Sequence, residues 1–381
     1  MKFFFGNIIT KKGDNRLAWI DYARGIAILL VVYRHVFEGI KRSGAQVQNF
    51  MFLENANIIF YSFRMPLFFI LSGVFIGASL AKRTLASFIS NKARVILYPY
   101  FLWGAIQITL QLVMSGYVNA DRRISDFLYL FYLPREVEQF WYLYTLFNVT
   151  VLYAILKVKF RLPVIAQLFL GIILFMASVL MSQNGFNLGF ISDIFHYYIF
   201  FAIGDLISSQ IKKERNIPRF SSWQLFIFLL PFFILSQLYF LVENVKSGLE
   251  KYDFVEYQQP FQYIMIVLMG CAFVINVCFL LQKYKGVTWL RTVGYYSLYI
   301  YVCHVLAASA TRIFLQQVLG IHYVPLLLVG GISMAVLIPI IFYNLAMSRG
   351  WYWLFTLEKP KKPNIPAPAD PSNKINFIAS Q

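Results

Sequence analysis

Charge is what this 381-residue chain has little of: Asp, Glu, Lys and Arg together make up 13% of it. Soluble domains carry about a quarter of their residues as charges, so that class is excluded. Acids are scarcer still, 17 against 34 Lys and Arg, for a formal net charge of +17. Only three cysteines occur, Cys271, Cys278 and Cys303. They sit in apolar runs with neither metal-ligand spacing nor even pairing, which excludes a disulfide framework and reads as buried small hydrophobes. The four histidines fall into no metal-binding pattern, and no metal is expected. No cleavable leader is expected at residues 1–15, since the first long apolar run is too long and too charged for a signal core.

What the chain has instead is apolar surface, 59% hydrophobic and 19% aromatic residues. Runs long enough to cross a bilayer fall near 17–40, 56–80, 98–116, 139–157, 163–181, 192–211, 221–242, 260–283, 293–318 and 323–346. The expected fold is an all-α polytopic membrane protein of about ten transmembrane helices. With the N-terminus cytoplasmic, strict alternation places twenty-three basic residues on the cytoplasmic side and seven on the other. Arg24, Arg34, Arg64 and Arg312 remain inside spans. That bias predicts both termini in the cytoplasm, and it assigns the positive charge to loops at a membrane rather than to nucleic acid. The expected organisation is a cytoplasmic segment 1–15, one transmembrane domain 16–346 and a cytoplasmic tail 347–381. The tail's Pro-, Lys- and Asn-rich composition from 358 onward predicts disorder. The stretch 81–97 reads as a basic amphipathic helix on the inner surface.

The first span is the anomaly. Residues 16–39 carry Asp21, Arg24, Arg34, His35 and Glu38. On a helix, Arg24 and His35 fall within about 20° of one another and are separated by about 16 Å of rise. Asp21 and Glu38 lie near the same line, so a polar seam runs along one face. Ionisable groups within a span are costly and by default mark a functional path. A histidine there suits proton transfer with a hydroxyl, Glu38 one turn on is placed to orient it, and an arginine suits an anion. The bland alternative is an ion network of Arg24 with Asp21 and His35 with Glu38; spacing alone does not separate the two.

Elsewhere, Arg64 in the second span needs a counter-anion, while Ser72-Gly73 permits a close helix approach or a polar opening. Lys92 and Arg94 face the membrane surface, where lipid headgroups are the ordinary partner. Trp141 falls at an interface, where aromatic belts are common. Asp193 and His196 open the sixth span one turn apart. Ser297, Tyr301 and His304 share a face of the ninth, with His304 at mid-membrane lining a cavity.

Several blocks together resemble one family. WIDYARGIAILLVVYRH (19–35) carries an Arg-x10-His pair in Arg24 and His35. FFILSGVF (68–75), the basic segment ending in YPYF (98–101), WYLYTLF (141–147), YYIFFAIGDLI (197–207) and SLYIYVCH (297–304) follow in order. These are similar to the acyltransferase-3 family of integral-membrane enzymes that O-acylate carbohydrates, in particular its exopolysaccharide and fucose-type O-acetyltransferases. The resemblance implies transfer of an acyl group, commonly acetyl, from cytoplasmic acyl-CoA to a sugar hydroxyl. The acceptor would be a polysaccharide or a lipid-linked oligosaccharide, in a bacterial inner membrane, with acetyl-CoA as co-substrate and no permanently bound cofactor. It implies His35 as base or transient acyl carrier, and Arg24 holding the donor, with Asp21 and Glu38 completing the catalytic group. Arg94 and Lys92 would meet the CoA phosphates, Arg64, Ser72 and Trp141 would line the donor path, and Tyr301, His304 and Ser297 the acceptor cavity. One departure stands out: where the family often has Arg-x-x-Arg, Asn91 precedes Arg94 by three residues. A proton-coupled glycan transporter is the competing expectation, since buried His, Arg and Asp suit it equally, although no inverted repeat is visible. Homo-oligomerisation is compatible with either.

Overall fold

The computed structural model describes residues 17–115, 121–248 and 252–358. The expected segment 1–15 and most of the expected tail lie outside the described residues. Among the described residues the chain is helical without strands. The long elements are α1 (Ala18–Arg42), α2 (Tyr61–Val74), α3 (Leu85–Val113), α4 (Trp141–Val158), α5 (Val164–Gln183), α6 (Phe190–Ile211), α7 (Trp223–Ser247), α8 (Pro260–Tyr284), α9 (Thr288–Tyr295), α10 (Ser297–Ile313) and α11 (Val324–Ser348). Nine helical stretches among them are long and apolar enough to cross a membrane. With its 25 residues α1 has the length for a tenth, at about 1.5 Å per residue, and only its ionisable side chains set it apart. The protein is an all-α, multi-pass membrane protein.

Helix α1 is the hub. It packs against α8, α9, α10 and α11 on one side and α2 on the other. Its small and branched residues Ala23, Ala27, Ile28 and Val32 are fully buried. Backbones approach closely where glycine removes the side chain: a Cβ on Gly294 of α9 would sit 1.7 Å from the Asp21 carbonyl oxygen. The predicted approach at Ser72-Gly73 is present too, because Gly73 of α2 lies against Gly204 of α6, each leaving no room for a Cβ. Such small-residue contacts are how helices associate where lipid is as apolar as leucine. At the periphery, α5 and α7 turn large apolar side chains outward, among them Phe169, Ile173, Ile227 and Leu235. That is the surface a bilayer covers.

Three local features differ from the sequence reading. The predicted basic helix 81–97 is present from Leu85 but is continuous with the next span: Leu85–Lys92 runs through a π-helical turn, Ala93–Leu97, straight into Tyr98–Val113. Phe88 is fully buried, which anchors this segment in the bundle. The start of the expected tail folds back rather than fraying. Phe355 is buried against Trp103, Tyr299 and Phe342, the Trp103 indole donates to the Leu354 carbonyl at 2.7 Å, and Glu358 reaches Arg94 at 3.6 Å. Finally, the ninth predicted span is broken: α9 and α10 are separate, with Tyr296 between them in a non-helical turn.

Candidate functional site

Along α1 the ionisable residues fall on one side as the 3.6-residue period requires, and each meets a different neighbour. Near the basic end, Asp21 is 3.9 Å from Arg291. Arg24, partly accessible, lies near enough to the Tyr142 hydroxyl and the Lys92 ammonium for its charge to act on both, and Ser72 lies beside Tyr142. Ser72 itself donates to the Phe68 carbonyl at 2.9 Å. Arg24, Ser72, Lys92 and Tyr142 therefore form one polar group between α1, α2, α3 and α4. A concentration of two cations with two hydroxyls in a span is a site for an anion or a polarised carbonyl.

About 16 Å further along α1 lies His35. Its ring stands edge-on to that of His304 from α10, with centroids 5.2 Å apart. The Nδ1 atom of His304 is 2.8 Å from the Tyr301 carbonyl and 3.1 Å from that of Ile300. Carbonyls only accept, so Nδ1 carries the proton and Nε2 presents a lone pair. That Nε2 is fully buried and has no hydrogen-bond partner among the described residues. His35 keeps some accessible surface where His304 has none. Tyr301, whose ring is 5.9 Å from that of His304 and 5.3 Å from that of Tyr142, anchors its hydroxyl on the Gln139 carbonyl. The aromatic rings thus join the histidine pair to the Arg24 group.

The expected Glu38–His35 contact is not present among the described residues. Glu38 accepts from the Asn57 amide at 3.1 Å, and the Asn57 oxygen faces Arg64 Nη1 at 3.4 Å. This relay is the buried counter-charge that Arg64 called for. Arg34 and Arg64 each lie 5.1 Å from the centre of the Tyr61 ring, a cation–π arrangement on both sides. Beyond them Lys41 pairs with Glu54 at 2.6 Å, and Tyr252 donates to the same carboxylate.

Of the remaining expected residues, Arg94 is exposed and pairs with Glu358, while Lys92, two positions earlier, sets its ammonium 5.5 Å from the centre of the Phe88 ring, in the field of Arg24. Ser297 opens α10 two turns from His304, toward the basic end. Trp141 lies under the Arg135 guanidinium, 4.4 Å from its ring centre, beside Tyr197. Sequence reasoning missed Arg135, Gln139 and Tyr142 as parts of this assembly. Tyr142 stands next to Trp141 in a block that was noted, whereas Arg135 and Gln139 carry no periodic signal because they precede the helix.

Residues 17–344 match the sequence profile of the acyltransferase domain family. Two relatives are nodulation proteins NolL. That of Sinorhizobium fredii (strain NBRC 101917 / NGR234) is 24% identical over 208 residues, 53% of this chain and 52% of the relative. That of Mesorhizobium japonicum (strain LMG 29417 / CECT 9101 / MAFF 303099) is 23% identical over 218 residues, 57% and 54% respectively. The chain spans about half the length of the curated relatives it matches. No solved structure matches it. A profile match over most of the chain, on a bundle whose first helix carries the Arg24 and His35 seam, places this protein in the acyltransferase-3 family.

Proposed function

We propose that the protein is a membrane O-acyltransferase, taking an acyl group, acetyl by preference, from cytoplasmic acyl-CoA to a hydroxyl of a surface polysaccharide or its lipid-linked precursor. The observation that carries this reading is the pair of polar groups on one helix, Arg24 toward the basic end and His35 against His304 further along, joined through the Tyr142 and Tyr301 rings inside a chain of this family. In the reading, the donor enters from the basic end. Arg94 and Lys92 meet the phosphates of coenzyme A, Arg24 with Ser72 and Tyr142 holds polar groups along the donor's arm, and the thioester is carried on to the histidine pair about 16 Å further along α1. His35 takes the proton of the acceptor hydroxyl as its oxygen forms the new C–O bond; the thioester C–S bond breaks, and the proton passes to the departing thiolate. Oxygen replaces sulfur on the acyl carbon and no redox partner is needed.

A bacterial inner membrane with both termini cytoplasmic is the setting that the charge bias supports. Transport of a glycan is disfavoured as the alternative because it leaves the family match without a role. The test uses purified protein and radiolabelled acetyl-CoA, with His35→Ala beside the wild type. Both are expected to bind coenzyme A, and only the wild type to pass label to an added glycan extract. Label transfer by His35→Ala at the wild-type rate would remove His35 from the chemistry.

A further inference from the structure

A second polar cluster, three of its four members buried and Arg135 reaching the surface, is not used by the transfer chemistry. Arg135, just before α4, donates through Nε to Asp193 Oδ1 at 2.6 Å. One turn along α6, His196 Nε2 lies 3.2 Å from Glu256 Oε1, in the short helix Phe254–Gln258 that closes over it. Asp193, His196 and Glu256 are each at most 3% accessible. Three of their polar atoms, Asp193 Oδ2, His196 Nε2 and Glu256 Oε2, have no hydrogen-bond partner among the described residues. Leaving such atoms unpaired costs about 1–3 kcal/mol each, more when charged, so they point to something that fills them.

The chemistry narrows what that is. Ser178 gives its proton to the Phe175 carbonyl at 2.7 Å, so its oxygen accepts from His196 Nδ1 at 3.3 Å. His196 Nε2 is then an acceptor facing a carboxylate, and one shared proton must lie between them. That leaves Asp193 Oδ2 and Glu256 Oε2 as acceptors needing donors. Arg135 and Asp193 cancel in charge and the Glu256–His196 pair with its one shared proton is neutral, so the cluster favours neither an anion nor a cation, and its unpaired oxygens reject an apolar ligand. A neutral ligand rich in both donors and acceptors fits. That description is a polyol, and the Trp141 indole carries the Arg135 guanidinium over its ring at 4.4 Å, which fixes the donor end of the cluster. The cluster also adjoins the reacting centre: the Tyr61 ring is flanked by Arg34 and Arg64, and its hydroxyl lies in the field of both Glu256 and Arg135.

We infer that Arg135, Asp193, His196 and Glu256, with Trp141 holding the Arg135 guanidinium in place, form the binding site for a sugar unit of the acceptor. The inference rests on the acyltransferase reading for the name "acceptor", though the site itself is a claim about sugar binding. Full-length protein in detergent is titrated calorimetrically with two probes: coenzyme A, and oligosaccharides released by mild acid from the envelope polysaccharide of the encoding organism. Wild type, Glu256→Gln and Asp193→Asn are compared, after their elution profiles and melting confirm folding. Glu256→Gln keeps the shape and can still donate to His196, so it remains informative where Asp193→Asn fails to fold.

Wild type is expected to bind the oligosaccharides and the variants to bind them at least tenfold more weakly, with coenzyme A affinity within twofold throughout. Equal oligosaccharide affinity in wild type and Glu256→Gln would overturn the site, as would a wild type that binds coenzyme A and none of the oligosaccharides. Oligosaccharide binding lost in the variants, with no coenzyme A bound by any protein, would uphold the sugar site and instead bring down the acyltransferase reading.

Discussion

The contact between α1 and α9 makes the sharpest quantitative demand on the fold. Replacing Gly294 with alanine puts a methyl 1.7 Å from the Asp21 carbonyl oxygen and 2.9 Å from the Gly25 nitrogen. Both neighbours are backbone, so no rotamer change relieves the overlap. Ordinary contact begins near 3.4 Å, and the two helices must part by about 1.7 Å to reach it. Overpacking of this kind costs about 1–3 kcal/mol. The gain of about 0.5–1 kcal/mol that alanine normally brings over glycine in a helix offsets part of it. A net loss of about 1–2 kcal/mol follows. Gly39, on α1 itself, is the control, since a Cβ there meets nothing within 4 Å and the same substitution should be neutral or stabilising. The assay is thermal unfolding of the two variants and wild type in one detergent, with label transfer from acetyl-CoA measured beside it. Because α1 carries both Arg24 and His35, a shift of about 1 Å should lower transfer by as much as 100-fold in Gly294→Ala, and Gly39→Ala should retain it. An unfolding midpoint for Gly294→Ala equal to or above that of wild type would refute the account of α1 as a hub gripped by backbone contact.

Three further expectations follow from the site. Burial raises the Glu256 carboxyl from 4.5 to about 7, against the pull of Arg135. The folded state therefore holds a proton that the unfolded state has lost, and this stabilisation is full below about pH 4.5 and disappears as pH rises through 7. The midpoint of wild type should fall between pH 5 and 8, by on the order of 3 kcal/mol at most, while Glu256→Gln flattens the profile; an identical slope in the two would count against the assignment. His304→Asn keeps a donor for the Ile300 and Tyr301 carbonyls but removes the Nε2 that faces His35, so unfolding should be little changed and transfer reduced by about 100-fold or more. Unimpaired transfer would show that the paired ring has no part in the proton step. Arg94→Ala breaks an exposed pair worth about 0.2–1 kcal/mol, so it should scarcely change stability while raising the KM for acetyl-CoA. Glu358→Ala breaks the same pair and should leave that KM alone; equal effects would trace the change to the pair and not to donor binding.

What was legible in the sequence is what lies within one helix. The Arg24 and His35 alignment follows from an unbroken 25-residue helix, and its period needs no tertiary information. The partners of those residues are another matter. His304 stood out as a buried histidine on a polar face, but its 5.2 Å approach to His35 depends on how α10 packs on α1, across 269 residues of sequence. Arg135 and Glu256 read as ordinary outer-loop charges, because a loop has no period to say which way a side chain points. The segment 134–140 shows the limit most clearly. Glu138 adopts φ 53° and ψ −120°, a backbone region that disfavours a side chain, at a position where no glycine announces a turn. It is held there from outside the segment: Gln107 donates to its carboxylate at 3.2 Å and accepts from Gln139 at 2.8 Å, while Tyr301 donates to the Gln139 carbonyl. A conformation imposed by α3 and α10 leaves no mark in the seven residues that adopt it. Yet that conformation is what sets Arg135 over Trp141 on one side and ties Gln139 to the His304 helix on the other. The two halves of the site meet at this segment, so the residues least readable from the chain are those through which its readable motifs meet.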